Sequence, residues 1–134
     1  MTPEAEQYLK KARQCLAHAT TIITLPIPEV AGKEAYLAGY HAAEAVIFER
    51  TGKTAKTHKG VRASFARVSV NEPTLREFTA FLAQGYELKS LADYGVDPDL
   101  HVSVDDAKTA IDTAGRLLRC VTELLTATPP TKEP

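Results

Sequence analysis

A chain of 134 residues supports one domain with a real core and is too short for two. Its 44% apolar and 25% charged content exclude a disordered polymer. A net charge of −1 excludes a global basic field for nucleic acid or anionic membrane, so any such contact must come from a local patch.

Thr2-Pro3-Glu4 reads as a helix start: a capping hydroxyl, Pro in the first turn and an acid beside it. Ala5, Leu9, Ala12, Leu16, Ala19 and Ile23 then recur at three- and four-residue steps, one apolar stripe, until Pro26 and Pro28. A second helix is predicted over Glu29 to Arg50. Between Ala35 and Phe48 its only formal charge is Glu44, so it should lie buried among the others, and Thr51-Gly52 should close it. Thr57 is the predicted cap of a short third helix carrying Val61, Phe65 and Val68. Asn71-Glu72-Pro73 opens a fourth, with Phe78, Leu82, Gly85, Leu88 and Ala92 in register and Gly95 and Pro98 as the stop. Ser103-Val104-Asp105-Asp106 resembles a capping box, with Asp for the usual Glu. The fifth helix carries Ala107, Ile111, Ala114, Leu118, Val121 and Leu125, and ends at Pro129-Pro130.

The fold class predicted is all-α, an antiparallel up-and-down bundle of four to five helices. One domain is expected over 1–128 and a flexible C-terminal tail over 129–134. No apolar run approaches the ~20 residues of a membrane helix. No basic-then-apolar leader opens the chain, so a cytoplasmic protein is expected. Cys15 and Cys120 sit inside apolar stripes and are expected to be buried thiols.

Three segments carry a family resemblance: Ala35-Tyr36-Leu37-Ala38-Gly39-Tyr40-His41-Ala42-Ala43-Glu44-Ala45; Lys56-Thr57-His58-Lys59-Gly60-Val61; and Glu87-Leu88-Lys89-Ser90-Leu91-Ala92-Asp93-Tyr94, followed by Val102-Ser103. Together, in this order and spacing, they resemble the prokaryotic HEPN domain, from about Ala5 to Leu125. The resemblance implies a helical bundle that commonly forms a homodimer, often paired with a minimal nucleotidyltransferase. It also implies RNA as target, since many such proteins are metal-independent RNases or toxin–antitoxin components. Those carry an Arg, four to six residues, then a His. Here four residues separate Arg13 from His18, the short end of that range, and seven separate Arg50 from His58, which is too many. The branch with an Arg-x-x-Ala-Asp-Tyr motif matches better, with Lys89 in the Arg position and Asp93 and Tyr94 in place. Lys keeps the charge and loses the planar fork.

The candidate catalytic residues are His41, His58 and Asp93; the candidate nucleotide- or RNA-binding residues are Lys56, His58, Lys59, Arg62, Lys89 and Tyr94. Each has a plainer reading beside it. Glu44, three residues on, can satisfy a buried His41. The Lys53–Arg62 basic run can be a solvated face or an anion site at a helix start. Lys89 and Asp93, four apart, can pair, leaving Tyr94 to pack at the helix end. Asp105-Asp106 suits a helix N-terminus better than a metal. No metal and no cofactor are expected. Two functions compete: an RNA-binding or RNA-cleaving toxin–antitoxin or defence-type component, and a non-catalytic dimeric module that docks a nucleotidyltransferase-like partner or binds a nucleotide. A purely structural bundle is the third.

Overall fold

The computed structural model describes residues 1–96 and 101–127. Among these the chain is all helical: α1 (Pro3–Ile22), α2 (Pro28–Thr51), α3 (His58–Ser69), a 3-10 helix (Pro73–Phe78), α4 (Thr79–Tyr94) and α5 (Val104–Thr126). The predicted bundle is the one observed. The expected stop at Pro98, the end at Pro129-Pro130 and the tail 129–134 lie outside the described residues.

The helix ends follow their sequence signals. The Thr2 hydroxyl accepts from the Ala5 N–H at 3.1 Å, and Thr57 accepts from Gly60 at 2.9 Å. Ser103 and Asp106 exchange both capping-box bonds, at 3.0 and 3.2 Å. Gly52 ends α2 at φ +78, a backbone conformation that residues with a Cβ adopt only under strain.

α2 is the hub, touching α1, α3, α4 and α5. Its buried face is mostly alanine, glycine and tyrosine, so neighbours approach its backbone closely. Two size pairs lock α2 to α4. Gly39 of α2 leaves room for Phe81 of α4, and Gly85 of α4 leaves room for Tyr36 of α2. A Cβ at Gly85 would stand 2.7 Å from Tyr36 Cδ1. Tyr36, Phe65, Leu9 and Ile47 fill the centre.

Two expectations are corrected. The fourth helix does not run unbroken from Pro73; it opens as a 3-10 helix, whose threefold repeat puts Leu75 and Phe78 on one buried side. Cys15 is buried, but Cys120 is half-exposed and directs its thiol at Thr74 O, 3.7 Å away. Among the described residues no helix is long and apolar enough to cross a membrane.

Candidate functional site

Tyr36 and Tyr40 stand one turn apart on α2 and so share a face. α3 begins at His58 under its Thr57 cap, and α4 brings Tyr86 and Lys89 alongside. The His58 ring sits among the three tyrosines. Its centroid is 4.3 Å from Tyr40, 5.1 Å from Tyr86 and 5.7 Å from Tyr36. Arg62, one turn into α3, lays its guanidinium over Tyr86 at 5.4 Å.

Hydrogen bonding sets the tautomer of His58. The Tyr36 hydroxyl is 2.7 Å from His58 Nδ1, and no other partner for that hydroxyl occurs among the described residues. Tyr36 is fully buried, and burial pushes its phenol well above the ordinary tyrosine range, so the proton stays on oxygen. A buried O–H must donate somewhere. It donates to Nδ1, which leaves the imidazole hydrogen on Nε2. Burial lowers the His58 pKa from its ordinary value, and the nearby Lys89 and Arg62 lower it further. His58 is thus a neutral N–H donor beside two cations.

His41 has the opposite arrangement. Its Nδ1 lies 2.7 Å from Glu44 Oε1, and Glu44 is 8% exposed with no other hydrogen-bond partner among the described residues. A carboxylate accepts the Nδ1–H, which assigns the lone pair of the neutral imidazole to Nε2. The pairing expected from the three-residue spacing forms. Tyr40 packs against both imidazoles, edge-on to His41 at 5.5 Å. Burial, then Glu44, pushes the Tyr40 phenol up to about 12.

Asp93 is held by two lysines, Lys33 of α2 at 2.6 Å and Lys89 at 2.8 Å. These hydrogen bonds hold its carboxyl below the ordinary range. The carboxylate therefore ties α4 to α2, and its geometry is that of a positioning group. Tyr94, 75% exposed, lies with its ring centroid 5.7 Å from Lys89 Nζ. Lys56 and Lys59 are exposed and make no ion pair among the described residues.

Of the residues singled out from the sequence, the structure brings His58, Arg62 and Lys89 to one cluster, with His41 on its flank and Asp93 and Tyr94 at its edge. Sequence reasoning missed Tyr36, Tyr40, Tyr86 and Lys33. The four-residue step from Tyr36 to Tyr40 was a usable signal. Lys33 and Asp93 are sixty residues apart in sequence, and nothing local links them. Among the described residues, no group of three or more His, Cys, Asp or Glu could hold a metal ion.

Compared with known proteins, the chain matches the HEPN domain over residues 5–124. No curated protein matches it at a significant level. The match covers most of the chain and takes in residues of all five α-helices, so the chain belongs to the HEPN domain family.

Proposed function

We propose that this chain acts on RNA, as part of a toxin–antitoxin or defence-type system, through the His41–His58–Arg62–Lys89 cluster. Family membership supports an RNA-related, nuclease or defence-type role. The observation that carries the reading is the pair of imidazoles with opposite hydrogen-bond roles packed on Tyr40. His41 Nε2, backed by Glu44, takes the proton of a ribose 2′-hydroxyl. The 2′-oxygen bonds to the adjacent phosphorus and the bond to the 5′-oxygen breaks. The leaving oxygen takes a proton from solvent, and the product is a 2′,3′-cyclic phosphate. His58 Nε2–H, Arg62 and Lys89 stabilise the charge that develops on the phosphate. Tyr94 offers an exposed ring on which a base stacks.

The test is RNA cleavage in EDTA, on a pool of single-stranded and structured RNA. Wild type should leave 2′,3′-cyclic ends. His41→Ala should lose about 10²–10⁴-fold, the worth of a general base. Cleavage that survives in the His41→Ala, His58→Ala double variant rejects the assignment.

A second reading rests on the exposed position of Arg13 and His18, each paired with a carboxylate at the surface of α1, and on an open cleft between α4 and α5, walled by Phe81, Leu88 and Ala110. HEPN domains commonly dimerise. In this reading the chain is a non-catalytic homodimeric module that docks a minimal nucleotidyltransferase or binds a nucleotide. Tight partner binding with no RNA cleavage would favour it.

A further inference from the structure

The sequence offers Asp93 as a candidate catalytic carboxylate, but its surroundings give it another role. It stands one residue from the end of α4, where the helix's own unpaired carbonyls present partial negative charge, and no basic residue occupies that last turn. A carboxylate there is repelled by its own helix. What holds it is Lys33 of α2 on Oδ1, at 2.6 Å, and Lys89 on Oδ2, at 2.8 Å. Among the described residues neither lysine has another carboxylate partner. Two cations thus share one anion.

The side chains of Lys89 and Asp93 are only 21% and 20% exposed, so salt screens their attraction less than that of a fully exposed pair. An ammonium has three N–H donors. Asp93 takes one from Lys89, which keeps the others. The charge of Lys89 is also felt at His58, whose pKa is lowered by burial and then by Lys89. Lys89 therefore belongs to two groups at once: the histidine cluster, and a carboxylate that competes for it.

Lys33 decides how that competition ends. With Lys33 present, the carboxylate is held from α2, and Lys89 can leave without stripping it of its only cation. Without Lys33, Asp93 has Lys89 alone, and the pair closes with no net charge. The effect of Asp93 then has two signs. It stabilises the fold by tying α4 to α2, and it weakens anion binding by taking the charge of Lys89. A purely structural carboxylate would not raise affinity on its removal.

We propose that Asp93 is an internal counter-ion that restrains Lys89, and that Lys33 is the positioning residue that releases it. In the free chain the carboxylate occupies the Lys89 ammonium. When an RNA phosphate reaches the histidine cluster, Lys89 exchanges Asp93 for it, and Asp93 stays on Lys33. The inference rests on the reading that this cluster meets RNA. It gives Asp93 no proton to transfer and no contact with substrate.

The experiment measures binding of a fluorescent single-stranded 2′-O-methyl RNA, which lacks the attacking hydroxyl, across a salt series. Wild type, Asp93→Asn, Lys33→Met and the double variant are compared, with circular dichroism checking the helices of each. Asp93→Asn should bind about fivefold more tightly near 0.1 M salt, with a log–log salt slope steeper by about 0.7, the worth of one added phosphate contact on a single strand. Lys33→Met should bind more weakly than wild type. In the double variant Lys89 has no carboxylate to hold it, so affinity should return to the wild-type level or above. Weaker or unchanged binding in Asp93→Asn, or a double variant as weak as Lys33→Met, would overturn the proposal. His58 reports on the same exchange without RNA. Tyr36, Tyr40, His41 and Glu44 face it from α2, Arg62 from its own helix, and Tyr86 and Lys89 from α4; of these, Lys89 is the one bonded to Asp93. In the free chain its NMR titration midpoint should fall in Asp93→Asn, where Lys89 is no longer neutralised, and rise in Lys33→Met. If no variant binds RNA, the RNA reading fails and the midpoints still decide this one: shifts in those directions support it, and unmoved midpoints sink it.

Discussion

Gly85→Ala tests how the α2–α4 contact builds the histidine cluster. In an ordinary helix interior this change stabilises by about 1 kcal/mol, because glycine loses more backbone freedom on folding. Here the new Cβ would lie 2.7 Å from Tyr36 Cδ1, 3.5 Å from Cγ and 3.6 Å from Cβ. The contact is at the root of the tyrosine, so the ring cannot swing clear at its tip. Tyr36 is also pinned at its other end by His58 and has no exposed surface. Overpacking of this kind costs about 1–3 kcal/mol, which outweighs the helix gain and leaves a net loss near 1 kcal/mol. For a domain of this size that is roughly 3–5 °C in Tm. Urea unfolding of wild type, Gly85→Ala, Tyr36→Leu and the double variant measures it. With the ring gone, Gly85→Ala should become neutral or stabilising, giving a coupling of about 1–3 kcal/mol between the two positions. A coupling indistinguishable from zero would refute the size-pair account.

Three further outcomes follow from the geometry. The fold depresses the His58 pKa, so the unfolded chain binds the proton more readily; stability from this group is intact above about pH 6.5 and falls as pH drops below it. Urea midpoints at pH 7.5 and 5.5 should therefore differ less in His58→Gln than in wild type, and an equal slope in both would contradict the burial of the ring. Asp93→Asn should lower Tm at low salt more than at high salt, because it removes a carboxylate that Lys33 and Lys89 share; a salt-independent effect would show that the ion pairs are not the cause. Thr54→Val should hold or raise stability by about 1 kcal/mol, since it removes a hydroxyl with no partner among the described residues, and a large loss on urea unfolding would mean that the hydroxyl has a partner.

The sequence determined what depends on neighbours along the chain. Thr2, Thr57 and Ser103 cap because a hydroxyl reaches the N–H three residues ahead, and Gly52 stops α2 because only a residue without Cβ adopts its φ cheaply. The His41–Glu44 pair was legible for the same reason, being less than one turn apart. The 3-10 opening at Pro73 was not, because the stripe from Leu75 to Leu82 fits either helix until something fixes which side is buried. Only tertiary structure decided that His58, read as one member of a basic run, sits instead among Tyr36, Tyr40 and Tyr86, and that Lys33 reaches Asp93. These contacts join α2, α3 and α4, and helix packing rather than sequence spacing sets them. Gly39 and Gly85 show the limit most clearly: each looks like a weak point in its own helix, and each is required by a large ring on the other.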